Sequence, residues 1–245
     1  MSTSSHPWAN KTVDARIGAQ VHEHERLLSS LPRHIGRYPF ITISRQWGCE
    51  AWVHAQHLVE ILNERCRPQF PWAAYNREVL DRVASELHLS RKIVDSLDGR
   101  RRDAMTELFD SILNRKVDES LMFRKLAEVV RSLALHGNTI LVGRGSYLLT
   151  QDLKMGLHVR MEASPDWRVR KVAAEQNLPV AEAEKFVHER QKERDQFLKS
   201  FFIQDRDNPF HHDLIIDTSR FNLAQTCEII FAALSVKFGE NLVGD

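Results

Sequence analysis

Residues 41 to 62, ITISRQWGCEAWVHAQHLVEIL, constrain this chain more than any other stretch. Pro39 to Ile43 has the apolar, β-branched character of a short buried strand. Ser44 to Ala51, with Gly48 inside it, reads as a sharp connection. Trp52 to Leu62 then reads as a helix whose Ala55, Leu58, Val59 and Leu62 share one face. A strand that turns tightly into a helix brings backbone N–H groups and a positive helix end to one point. In α/β proteins that point commonly holds a phosphate.

The same alternation runs through the rest of the chain. Phe70 to Tyr75 is expected to be a second strand and Asn76 to Leu87 a helix, with another helical turn opening at Leu89-Ser90. Arg100 to His136 is helical almost throughout, and Gly137 ends it. Thr139 to Val142 is a fully apolar strand that runs straight into Gly143-Arg144-Gly145. That arrangement puts an arginine at the carboxyl edge of a parallel sheet, where open α/β folds bind ligands. Leu157 to Met161 is the next strand, and Ser164-Pro165-Asp166 supplies the cap and first-turn proline of a helix. Trp167 to Phe202 is one long charged helical segment, His211-His212 a loop pair, Asp213 to Asp217 the last strand and Leu223 to Phe238 the last helix. Strands alternating with helices predict an α/β fold, a parallel sheet covered on both faces.

The expected organisation is a tail with an amphipathic helix over residues 1–38, then an α/β domain over 39–240 with a helical insertion at about 76–136 and a lid at about 167–205. Val13, Ile17, Val21, Leu28 and Leu31 recur at helical spacing in the first part and are expected to support a homodimer. A hydrophobic content of 42% with 27% charged residues excludes a membrane protein. The net charge of +1 gives no global field to gather long nucleic acid. Cys49, Cys66 and Cys227 are widely spaced with no CxxC pair, so neither a disulfide framework nor a zinc knuckle is expected, and a reducing cytoplasm is the expected compartment. His54 and His57 stand at i, i+3, but no third ligand lies nearby and no metal site is assigned.

The connection after the first strand conflicts with an ordinary phosphate loop, GxxxxGK[ST], whose glycines wrap the phosphates, whose lysine neutralises them and whose hydroxyl holds magnesium. At the same spacing those specified positions are Arg45, Glu50, Ala51 and Trp52, and none matches. A Glu50 facing phosphate would oppose it by about 4 kcal/mol for a unit charge pair near a surface, so a functional loop needs Glu50 turned away.

Five segments, ITISRQWG, ILVGRGSYLL, ASPDWRVRKV, QKERDQFLKSFF and DLIIDTSR, together and in this order resemble the cytidylate kinase-like family, relatives of the P-loop nucleoside monophosphate kinases. The likeness runs from roughly Phe40 to Leu234. It implies a P-loop NTPase-like three-layer sandwich, a parallel sheet flanked by helices, with helical nucleoside-monophosphate-binding and lid regions. The family's loop begins Ser-Arg and continues Gly-Ser-Gly-Gly-Arg. Here Ser44, Arg45 and Gly48 are kept, while Cys49, Glu50, Ala51 and Trp52 depart from it.

On this resemblance Arg45, Arg168, Arg190, Arg194 and Asp195 are the catalytic candidates. Ser44, Arg45, Gly48, Cys49, Asn76, Arg77 and Arg144 are the candidate nucleotide and phosphate contacts. The implied cofactors are ATP and Mg²⁺, the implied partners small nucleotides, and the implied reaction is transfer of the ATP γ-phosphoryl group to an acceptor such as CMP. Phosphoryl transfer is mainly positioning plus neutralisation of spread negative charge, which arginines converging from several segments supply. The altered loop keeps a second function open, a non-catalytic sensor or interaction module on the kinase fold.

Single residues also carry two readings. Arg144 either meets a ligand or bonds loop carbonyls. Arg190 and Arg194, among Glu189, Lys192 and Glu193, either close a site or belong to a solvated face. Trp47 and Trp52 either stack on a base or pack in the core. Cys49 has a lowered pKa if it caps the helix and is otherwise an inert small residue.

Overall fold

The computed structural model describes residues 36–85, 120–202 and 208–242. Within them β1 (Phe40–Arg45), β2 (Ala73–Tyr75), β3 (Thr139–Val142), β4 (Gly156–Glu162) and β5 (Leu214–Asp217) form one sheet in the order β2-β3-β1-β4-β5. All four pairings are parallel, with Ile41 opposite Ile140 of β3 on one side and Leu157 of β4 on the other. The helices are α1 (Ala51–Cys66), α2 (Arg77–Ser85), α3 (Ser120–His136), α4 (Ser146–Leu149), α5 (Pro165–Gln176), α6 (Val180–Phe201) and α7 (Leu223–Phe238).

Alternation of side chains along the strands assigns the two faces. Ile41, Ile43, Ile140, Val142, Leu157, Val159 and Met161 enter a core completed by α1 and α7. Phe40 and Leu141 enter the opposite core, built from α2, α3, α4 and the end of α6. Leu58, Leu62, Leu80 and Leu133 are fully buried in these layers. Each contributes about 1.5–3 kcal/mol by leaving water. The chain therefore has the expected three-layer sandwich of a parallel sheet between helices, with its central strand β1 buried on both faces, Thr42 bonded to His158 within it and its one charged residue, Arg45, at its carboxyl end.

All five expected strands are present, with two changes that matter for the site. β1 continues through Ser44 and Arg45, which pair with Arg160 and Met161 of β4, so these two residues belong to the strand and the connection shrinks to residues 46–50. The long helix expected from Trp167 to Phe202 is two helices. α5 starts on the Ser164 cap with Pro165 in its first turn and ends at Asn177, which takes left-handed φ 52. Pro179 then begins α6, which folds back on α5 around Val172, Ala173, Ala183 and Val187. The expected N-terminal helix with its dimer contact, and residues 86–119 of the expected helical insertion, lie outside the described residues. Among the described residues no helix is long and apolar enough to cross a membrane.

Candidate active site

A cavity of about 460 Å³ opens at the carboxyl edge of β1 and β3. Arg45 enters it from the end of β1, and the Gly143-Arg144-Gly145 turn from β3. Arg77 and Glu78 come from the first turn of α2, while Arg190, Arg194, Phe186 and Phe197 come from α6. Five arginines from four separate elements thus line one space, and the sequence had placed them over 150 residues of chain.

Arg45 is the centre of the cluster. Its guanidinium lies against Gly143, whose φ is 83, and a Cβ at that position would overlap the Arg45 Nη1. Glycine is therefore favoured there by conformation, and any side chain would push the Arg45 guanidinium aside. No described residue gives the Arg45 guanidinium a hydrogen bond or an ion pair. Burial first, then the charges of Arg194, Arg77 and Arg144, draw its pKa down to about 10, with Glu78 opposing.

The other arginines are partly compensated. Arg144, at φ 56, forms an ion pair with Asp81 and packs its guanidinium 4.7 Å from the centroid of the Phe197 ring. It bonds a carboxylate and not loop carbonyls. Arg77 shares the same Asp81 at 3.7 Å. Arg190 pairs with Glu193 at 2.9 Å and sits over Phe186 at 5.2 Å. Arg194 Nη1 lies 3.6 Å from Asp195, which also accepts a hydrogen bond from Gln191 Nε2 at 3.0 Å.

The connection after β1 has a different character. Its amides are already used: Gln46 N–H donates to the Met161 carbonyl at 2.9 Å, Trp47 N–H to Gln191 Oε1 at 2.8 Å, and Cys49 N–H to the Gln46 carbonyl at 3.3 Å. Glu50 takes left-handed φ 44 before α1 and pairs with Lys171 of α5 at 2.6 Å, outside the cavity lining. Burial disfavours its charge, and the Lys171 hydrogen bond overcomes that to hold the carboxyl below its usual range. Cys49 is buried in the core beside α1, and burial raises its thiol pKa. The lowered pKa that helix capping would give is absent.

Two further candidates, Arg168 and Asn76, lie outside the cavity lining, and a third, Trp47, is part of it. Arg168 donates from Nε to the Ala163 carbonyl at 3.2 Å and from Nη1 to the Trp47 carbonyl at 3.1 Å. Its side chain packs behind Gly48, where a Cβ would sit 3.1 Å from the Arg168 Cβ. Asn76 caps α2 by accepting the Val79 N–H at 3.0 Å. Trp47 packs edge-on against Phe186 at 5.1 Å, so its aromatic contact is with α6.

Sequence reasoning missed two neighbours of this site. Gln191 holds the Trp47 amide. His212, read as a loop residue, places Nε2 2.9 Å from the Ser44 hydroxyl and stacks at 4.6 Å on Tyr147, and both of those partners line the cavity. Gln191 opens the QKERDQFLKSFF segment but is not one of its charged residues, and His212 precedes the last segment; only the folding of α6 and of the segment before β5 onto β1 reveals their contacts.

A triphosphate carrying magnesium does not fit the connection after β1. Three of its amides are occupied, Ala51 and Trp52 stand where a lysine and a hydroxyl are needed, and the Ser44 hydroxyl is engaged with His212. Positive charge is concentrated instead in the arginine cavity.

No curated protein matches this chain. Among solved structures it is similar to an uncharacterized protein from Eubacterium ventriosum ATCC 27560, with a TM-score of 0.62 and 15% identity, covering 81% of this chain and 98% of that one. It also aligns with shikimate kinase from Bacteroides thetaiotaomicron at a TM-score of 0.44 and 14% identity, over 80% of this chain and 98% of that one. The model of the cytidylate kinase-like family matches residues 40–220, from the first residue of β1 past the end of β5. With the parallel sheet and the arginine-lined carboxyl edge in place, that match makes the chain a nucleotide-kinase-like protein that belongs to the cytidylate kinase-like family.

Proposed function

We propose that this chain binds a phosphorylated nucleotide, with CMP as the first candidate, in the arginine cavity, and that it acts as a receptor for that ligand and not as an ATP-dependent kinase. The observation that carries this reading is the Arg45 side chain, half-buried in the cavity lining, whose guanidinium has no hydrogen-bond or ion-pair partner among the described residues. A partly desolvated cation without a partner costs free energy unless an anion completes it. A phosphate is tetrahedral, and two of its oxygens can accept the paired N–H groups of a planar guanidinium. Phe197, half-buried in the cavity wall, supplies flat apolar surface beside the charge, on which a base can stack.

A second reading, transfer of the ATP γ-phosphoryl group to CMP with Mg²⁺, is favoured by the family and by arginines converging on one space. Two measurements separate the readings. Isothermal titration with CMP, UMP, AMP and GMP is expected to give saturable binding to at least one. At a hundredfold its Kd that ligand raises stability by about 2.7 kcal/mol. A flat response to all four overturns the receptor proposal. A coupled assay with ATP and magnesium is expected to show no turnover, and steady turnover with any acceptor establishes the kinase instead.

Arg168 supplies a control. Because both of its contacts are to backbone carbonyls, Arg168→Met should lower stability by about 2 kcal/mol in urea unfolding. Its nucleotide affinity should stay within twofold of the parent. A tenfold loss of affinity without loss of stability would return Arg168 to the ligand site.

A further inference from the structure

One side chain joins the loop after β1 to the helix that walls the cavity. Gln191 Oε1 accepts the Trp47 N–H at 2.8 Å, and its Nε2 donates to Asp195 at 3.0 Å, one helical turn further along α6. Asp195 in turn lies 3.6 Å from Arg194, which lines the cavity. The other polar group of Trp47, its carbonyl, accepts from Arg168 of α5. Both backbone groups of this loop residue are therefore satisfied by side chains of the α5–α6 hairpin, and its ring packs on Phe186 of the same hairpin.

We propose that Gln191 is a positioning residue: it closes the loop by occupying the Trp47 amide, and through Asp195 it fixes Arg194 against the cavity. Its carboxamide oxygen takes the hydrogen bond that a donor phosphate oxygen would otherwise receive from that amide. A phosphate arriving there must displace Gln191, and a displaced Gln191 no longer holds Asp195. Occupation of the loop and order in the arginine cavity are thus antagonistic, with α6 held in its closed pose by the protein alone. The effect on ligand affinity rests on the receptor reading above. The latch itself does not.

Amide hydrogen exchange by NMR, with CMP titration in parallel, tests this on the full chain. In the parent the Trp47 amide is expected to be protected without ligand. In Gln191→Ala its exchange should accelerate at least tenfold while β1 amides stay unchanged, and the Kd for CMP should rise three- to tenfold. Gln191→Glu can accept the Trp47 N–H but cannot donate to Asp195, so it should restore Trp47 protection without restoring CMP affinity. Equal Trp47 exchange in the parent and in both variants overturns the proposal. So does added Mg-ATP that binds the parent and protects the Trp47 amide further. If Gln191→Ala does not fold, Gln191→Glu decides through affinity: a Kd for CMP equal to the parent's, with Trp47 equally protected, overturns the proposal. A parent that binds no CMP, yet whose Trp47 exchange responds to Gln191→Ala, sinks the receptor reading and leaves the latch standing.

Discussion

Arg45→Met is expected to make the ligand-free protein more stable while lowering its affinity for CMP at least a hundredfold. The Arg45 guanidinium is held at a pKa of about 10 against 12.5 for a free arginine, chiefly by burial and by Arg194. That depression corresponds to about 3 kcal/mol of unfavourable interaction in the charged state at neutral pH. The cavity is open to water on one side, and screening reduces the figure to about 1–2 kcal/mol. Methionine keeps an unbranched apolar stem of similar reach and removes the charge. In a chain of this size a gain of 1–2 kcal/mol raises the thermal midpoint by about 2–5 °C. The same substitution removes the unpaired guanidinium available to a phosphate, and a hundredfold loss of affinity is about 2.7 kcal/mol, an ordinary value for a charged, bidentate contact. Scanning calorimetry of the free protein and titration with CMP measure the two halves separately. A variant that is less stable than the parent and binds CMP equally well would show that Arg45 is a structural arginine.

Much of the architecture was legible because it rests on period and punctuation. Thr139 to Val142 could only be a buried strand, and Gly143-Arg144-Gly145 after it marked the carboxyl edge where the cavity opens. Ser164 and Pro165 announced α5, whereas the reversal, carried by the left-handed Asn177 and by Pro179, was obscured by the charged helical pattern on either side of it. The arginines were legible as a set but not as individuals. Arg144 and Arg168 both lie in motif segments, yet one faces the cavity with Asp81 and Phe197 while the other turns to the Ala163 and Trp47 carbonyls. Spacing along a chain cannot separate these, because the choice depends on which carbonyls a neighbouring loop leaves unpaired. Glu50 illustrates the reverse. Its charge forbade a place facing phosphate, and its ion pair with Lys171, outside the cavity lining, is the placement that electrostatics required.

Stability should fall steeply between pH 6.5 and pH 5, before any carboxylate with a lowered pKa begins to titrate. Burial, opposed by the Asp213 carboxylate and reinforced by Lys237, holds His158 down to about 4. Burial, with Arg160, His158, His211 and Arg194 around it, holds His212 down to about 3. His54 is lowered as well, again mainly by burial, with the Glu50 carbonyl opposing. Each of these folded-state values lies below the unfolded value of about 6.5. The unfolded chain therefore takes up protons first as pH drops, and stability is lost from about pH 6.5 downward, at up to about 1.4 kcal/mol per pH unit for each histidine. Asp213, whose burial is overcome by the His158 amide and Lys237, and Glu50 have lowered pKa values and contribute losses only below about pH 4. Glu128 and Glu175, raised mainly by burial, act in the opposite direction as pH falls into the carboxylate range. The window from pH 6.5 to 5 thus belongs to the histidines. Between pH 7 and pH 5 the parent should lose about 2 kcal/mol for each fully neutral buried histidine, read from urea unfolding at stepped pH. His158→Gln, which keeps a partner for the Thr42 hydroxyl now 2.8 Å from His158 Nδ1, should remove about one histidine's share of that slope. His212→Asn should remove another and, because His212 bonds Ser44 in the cavity wall, should also shift the pH dependence of nucleotide binding. A parent whose stability is flat over this window would mean that the two rings protonate without unfolding, and that the Ser44–His212 contact opens in the native state.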